Sequence, residues 1–304
     1  MKIKCLFLLI ILLLTFSVQS DTTVYGKLFI TLESQEMITG TELNTKNNAS
    51  RLGIKGSIEL KRELGVIFQA EYEVDSVDGT ADESNRQTFK QRNTFVGIKG
   101  SLGTLFLGTH DTAFRKSQNT IDLFNDLASD IKNILEGENR LSELVGFTTP
   151  EFGKNFSATF NVIKEKDGLD DASSFSLKYK TTNIYAALAL DSKVEGYDSY
   201  RVSFQIPLNK AKLGLMFQTS KEVNTGDKEE GYVVSLSRKI TNKGTIKLQL
   251  AESDIKLVSG KQTSFGYDQE ISKRAKIFIF YTDLSSPKVG KERNITAVGF
   301  ELKF

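Results

Sequence analysis

Beyond residue 20 the chain is built from short runs in which apolar and polar side chains alternate. In the last run Val298, Phe300, Leu302 and Phe304 share one face, and Ala297, Gly299, Glu301 and Lys303 share the other, because strand side chains repeat every two residues. Leu52, Ile54, Ile58 and Leu60 likewise oppose Arg51, Lys55, Ser57 and Glu59, and Val202, Phe204 and Ile206 oppose Arg201, Ser203 and Gln205. Sixteen such runs follow one another, from residues 24–32 to residues 293–304. Each run taken alone also fits a soluble barrel with a packed core. The polar positions, however, are long and charged, which suits a wet lumen better. The pattern therefore predicts an all-β fold, a 16-stranded antiparallel transmembrane β-barrel, closed so that no strand edge faces lipid. Tyr25, Tyr179, Tyr232, Phe300 and Phe304 lie near strand ends and are candidates for its interfacial aromatic girdles.

The connections alternate in length. Residues 61–65, 100–103, 150–154, 208–211, 241–244 and 272–275 are short and rich in turn formers, whereas 34–50, 76–88 and 110–143 are long. An even strand number puts both termini on one side, so the short set belongs with them on the periplasmic face and the long set faces outside. The near-repeat of residues 52–57 at 96–101 reads as duplication of a hairpin unit rather than a binding motif.

The start of the chain adds a compartment. Met1 to Lys4 is basic, Leu6 to Phe16 is apolar, and Val18-Gln19-Ser20 offers a processing site, so residues 1–20 read as a cleaved signal peptide and 21–304 as a single barrel domain. The apolar stretch falls short of the roughly 20 residues a spanning helix needs, and no second run of that length follows. Cys5, the only cysteine, lies inside this leader, which rules out disulfides or cysteine-ligated metal in the mature chain.

The leader carries two lysines and no acid, and the whole chain holds 40 basic against 38 acidic residues, so the mature chain is formally neutral. That balance speaks against a nucleic-acid partner. No phosphate-binding glycine loop or metal-ligand cluster occurs, and His110 stands without a serine or cysteine partner, so neither an enzyme nor a cofactor is expected. Asp167, Asp170 and Asp171 miss calcium-loop spacing and read as a solvated outer loop.

With these residues assembled, the chain resembles the trimeric general porins of the Gram-negative outer membrane. The resemblance rests on Ser50-Arg51-Leu52-Gly53-Ile54-Lys55-Gly56, on residues 64–72, on Arg92-Asn93-Thr94-Phe95-Val96-Gly97 and the residues up to Thr104, on Leu107-Gly108-Thr109, on Asn139-Arg140, on residues 147–153 and on the terminal Phe304. These words follow the family's order through the first half of the mature chain; the second half matches in pattern only. The resemblance implies an outer-membrane homotrimer in contact with lipid, inserted by the barrel assembly machinery through the strand ending in Phe304. It passes ions and small hydrophilic solutes by diffusion. Leu28, Ile30 and Val298 are outward residues that could pack between barrels. An adhesin or receptor barrel working through its outer loops is the alternative, and a barrel hydrolase a third reading.

The resemblance also implies that the third long loop, residues 110–143, folds inward. Its sequence predicts a helix capped by Asn119 or Thr120, with Ile121, Phe124, Leu127, Ala128, Ile131 and Leu135 on one side and Asp122, Asp126, Asp130 and Glu136 on the other. An amphipathic helix on a surface is the simpler reading. The sharper one packs the apolar stripe on the inner wall and points Asp111, Asp122, Asp126, Asp130 and Glu136 across the pore at a basic wall. Arg51 and Lys55 share the inward face of their strand, and the resemblance adds Arg92 and Arg140. Simple alternation turns Arg92 outward, so it needs a bulge or a reach to the interface. Anion or cation preference is not set by the sequence.

Overall fold

The structure, a computed structural model, describes residues 20–37, 40–60, 63–77, 89–164, 171–255, 260–287 and 292–304. The leader apart from Ser20, most of the expected loop at 76–88, and Asp167 and Asp170 lie outside these residues.

The strands are β1 (Ser20–Met37), β2 (Gly40–Asn47), β3 (Arg51–Glu59), β4 (Gly65–Val74), β5 (Phe89–Gly100), β6 (Gly103–Asp111), β7 (Arg140–Thr148), β8 (Phe156–Ile163) and β9 (Ala172–Lys180). They continue as β10 (Tyr185–Val194), β11 (Tyr197–Leu208), β12 (Ala211–Glu222), β13 (Lys228–Lys239), β14 (Gly244–Ser253), β15 (Gly260–Ser272), β16 (Ala275–Ser285) and β17 (Arg293–Lys303). Each pairs antiparallel with its neighbours, and β17 closes on β1, with Lys303 opposite Lys27 and Asn294 opposite Glu36. That pairing closes the sheet into a barrel.

Seventeen segments make sixteen staves. The upper part of β1 pairs with β2 and its lower part with β3, so β2 and β3 are one stave broken at Asn48-Ala49-Ser50. Ala49 adopts φ 56°, the left-handed region, which interrupts the ladder. The Ser50 hydroxyl seals the break by accepting from the Phe29 amide at 2.9 Å. Residues 34–50 are thus mostly a hairpin and not the long loop the pattern suggests. The segment Gly40-Thr41-Glu42-Leu43-Asn44 is polar on both faces, so hydropathy carries no period there.

The two faces of the barrel separate as alternation requires. On β17 Val298 keeps 46% of its surface exposed and Ala297 only 2%. Apolar side chains such as Ile54, Ile98, Leu107 and Phe265 form the outward band, while Arg201, Gln218, Ser235, Gln249 and Ser264 face inward. Tyr25 breaks the girdle expectation: it points inward, and its hydroxyl donates to Glu71 at 2.9 Å.

The register of β4 against β5 shifts between Ala70 and Tyr72. This bulge places the extra residue at Arg92–Asn93 and turns Arg92 into the lumen, where it is 5% exposed.

Candidate functional site

The segment between β6 and β7, residues 112–139, lies inside the barrel. It is not one helix. It contains a four-residue helix, α1 (Ala113–Lys116), and a single 3₁₀ turn at Ile131–Asn133. Asn119 and Asp126 have φ of 54° and 69°, which breaks any helix between them. Aspartates compete for the same backbone: Asp122 accepts from the Phe124 amide at 3.0 Å, and Asp130 accepts from the amides of Asp126 and Lys132, both at 2.8 Å. Such local bonds favour turns over helix.

The apolar half of the expectation survives this change of backbone. Ile121, Ile131, Ile134 and Leu135 are buried with Met216, Val233 and Ala251 on the inner faces of β12, β13 and β14. Phe124 and Leu127 pack with Phe29, Phe278 and Phe280. Two glycines make room. A Cβ on Gly231 would sit 2.6 Å from Leu135, and one on Gly266 would sit 2.9 Å from Phe124.

Polar anchors accompany the packing. Asn161 accepts from the Ala113 amide at 2.7 Å and Ser174 from the Phe114 amide at 3.0 Å, while Gln249 accepts from the Leu123 amide at 2.8 Å. Arg201 is fully buried; it donates to Glu138 at 2.8 Å and to Gln218, and lies 4.3 Å from the Phe114 ring centroid. Burial pushes the Glu138 carboxyl upward, and the guanidinium groups of Arg201 and Arg115 only partly offset this. The loop is therefore fastened along the inner wall from β8 round to β17.

The opposite wall, β3 to β7, carries a run of arginine–carboxylate pairs. Arg51, next to the stave break, donates from Nε to the Ala49 carbonyl at 2.9 Å and from Nη2 to Asp126 of the loop. Lys27, opposite Arg51 across β1 and β3, donates to the same carboxylate at 3.1 Å. Burial works against ionisation of Asp126, but Arg51, Lys27 and Arg92 outweigh it and hold the carboxyl below its ordinary range. Arg92 pairs with Glu71 at 2.8 Å and Glu73 at 3.0 Å. Arg140 meets Asp111 at 3.0 Å, and Arg115 meets it at 3.2 Å.

Several expected site residues stand elsewhere than across the pore. Asp111 is the last residue of β6 and pairs in register with Arg140, so it belongs to the basic wall rather than facing it. Asp122 and Asp130 are buried and turned into the loop's own backbone; burial and the neighbouring Asp130 push the Asp122 carboxyl well up. The Glu136 carbonyl accepts from Arg201 and Gln218, which fixes that residue on the anchored side. Lys55 faces the lumen with its Nζ 5.1 Å from the Tyr25 ring centroid, and among the described residues it makes no ion pair. Of the expected loop carboxylates, Asp126 is the one whose described contacts reach the basic wall. Lys27, Glu71, Glu73, Glu138 and Arg201 were not singled out as site residues from sequence, although strand parity gives the inward position of all but Glu138, which lies in the loop.

Comparison with known proteins agrees with this architecture. A model of the Gram-negative porin family matches residues 11–287. Outer membrane porin protein 32 of Delftia acidovorans is 28% identical over 260 residues, covering 76% of this chain and 73% of the relative. An anion-selective porin from Comamonas acidovorans superposes with a TM-score of 0.78 at 21% identity, covering 94% of this chain and 100% of its own. OmpT of Vibrio cholerae, solved in a trimer form, gives 0.67 at 12% identity, with coverage of 94% and 99%. At such identities the solved structures speak for the fold alone. The chain belongs to the Gram-negative porin family: it is an outer-membrane β-barrel that forms a channel for passive diffusion, not an enzyme.

Proposed function

We propose that residues 112–139 form the constriction of this channel, with Asp126 on the loop and Lys27, Arg51, Arg92, Asp111 and Arg140 on the facing wall as the charged groups that permeating ions meet. Lys55 stands nearby as a further cation, whereas Asp122, Asp130 and Glu136 hold the loop. The observation that carries this reading is Asp126, bonded to Lys27 and Arg51 while its own loop is fastened to the far wall. Closely spaced opposite charges orient polar solutes and penalise apolar ones.

The same reading takes residues 1–20 as a cleaved leader and 21–304 as one barrel domain. It takes the assembly as a homotrimer in lipid, delivered by the barrel assembly machinery through the strand ending in Phe304. The trimer form of a fold relative and the exposed apolar Leu28 and Val298 on β1 and β17 support that assembly. Planar-bilayer recording tests the constriction. Arg51→Gln with Arg140→Gln should move the reversal potential toward cations, and the effect should shrink as salt shortens the Debye length below about 8 Å. An unchanged reversal potential with conductance intact would remove these residues from the filter.

A further inference from the structure

The arginines of the charged wall are matched by carboxylates, but a second group of cations in the lumen is not. Lys178 and Lys180 lie on the inward face of β9, and Lys212 lies on that of β12, in register with Pro207. Lys116, at the end of α1, and Lys180 are the charged neighbours of Lys178, both of its own sign. Among the described residues the side chains of Lys178, Lys180 and Lys212 make no hydrogen bond or ion pair, and none of the three is among residues with a further interaction.

Between these strands, at the end of the barrel that holds both termini, the underside of the loop leaves a recess of about 330 Å³. Lys180 and Lys212 line it together with Asn119, Thr120, Tyr185 and Gln205, and its lining contains no carboxylate. The amide and hydroxyl groups are already set: Asn119 donates to Gln205 at 2.7 Å, and Thr120 and Gln205 are bonded to each other. Lysines of one sign facing a common space repel each other unless an anion stands among them. A volume at the lower end of small-molecule sites admits a compact solute with its hydration.

We propose that this recess binds a doubly charged oxyanion, inorganic phosphate or a small phosphate monoester, between the Lys180 and Lys212 ammonium groups. The oxyanion is held there before or after it crosses the constriction. The site rests on the channel reading and adds to it a station that the paired arginines do not supply.

The test is block of chloride current through single channels in planar bilayers at pH 8. Inorganic phosphate, glycerol 3-phosphate and uncharged glycerol are added in separate arms. Phosphate and its ester should both reduce the current and glycerol should not; block by phosphate alone would restrict the site to the inorganic ion. In Lys180→Gln/Lys212→Gln the half-blocking concentration should rise by at least about ten-fold, since a single lost charged hydrogen bond already accounts for that much. It should stay within about two-fold in Lys180→Arg/Lys212→Arg and in Lys221→Gln, at the other end of β12, because charge is kept in the first and the recess untouched in the second. Chloride current without phosphate block in the unaltered protein, or equal block in the glutamine variant, would overturn the site and leave the channel standing. Absence of any current would strike the channel reading, and the site would fall with it.

Discussion

The inner wall of this barrel has two unlike halves. From β8 to β17 it presents phenylalanines, glycines, serines and glutamines, and it holds the loop chiefly by burial and hydrogen bonds to the backbone, with the fully buried Arg201–Glu138 pair sealed among them. From β3 to β7 it presents arginines and carboxylates in alternation, and the loop reaches it through Asp126 and the Arg115–Asp111 pair. The difference separates two tasks. An apolar contact is indifferent to salt and to ions in transit, so it can keep the loop in place; a charged contact responds to both, so it can discriminate.

The largest effect should come from loosening the apolar half. Phe124→Ala removes a fully buried ring packed against Phe280 at a centroid distance of 5.9 Å, and such truncations cost about 3–5 kcal/mol. The loop should detach locally, seen as larger and noisier single-channel conductance and as faster tryptic cleavage after Arg115 or Lys116. Quiet channels of unchanged conductance would mean that the ring does not hold the loop.

A smaller effect should follow on the charged half. Asp126→Asn leaves Arg51 and Lys27 facing each other without their shared carboxylate, a loss on the order of 1.5–3 kcal/mol. The loop should stay docked through its apolar anchors while the reversal potential moves toward anions. Loss of trypsin resistance in this variant would show that the charged contact also carries the loop.

The smallest effect concerns pH. The Asp122 carboxyl is raised in the docked loop, chiefly by burial and also by Asp130. A raised carboxyl binds its proton more tightly in the folded state, so its contribution is greatest in acid and is lost as pH rises through the raised value. Asp126 is held low, so its contribution is present above the ordinary carboxylate range and is lost only in strong acid. Docking should therefore weaken slightly from pH 5 toward pH 9. Asp122→Asn should flatten that slope, read as closing frequency against pH. The same slope in the variant would assign the titration to another group.

Much of this molecule was legible in the sequence, and the exceptions have physical causes. Alternation marked the staves because one face meets an apolar surround and the other water. It failed at residues 40–47, where both faces are polar. The awkward position of Arg92 in its strand did point to the bulge that turns it inward. The loop's apolar residues were recognised but not their backbone, since Asp122 and Asp130 bind nearby amides and close turns where spacing alone suggests a helix. Lys27, Glu71 and Glu73 were not assigned to the site because each is one polar residue among many at inward positions; their role arises from cross-strand neighbours that only register reveals.

The proposed constriction puts Asp126 in the permeation path and packs the rest of the loop away from it. Cys5 is the chain's single cysteine and sits in the expected leader, so one introduced cysteine gives an unambiguous target. Single-channel current should be recorded while a charged, water-soluble thiol reagent is applied to Asp126→Cys and, separately, to Ile131→Cys, a position with no exposed surface. An abrupt, irreversible fall in current is expected for position 126 and no reaction at position 131. Complete labelling at position 126 with the current unchanged would contradict it.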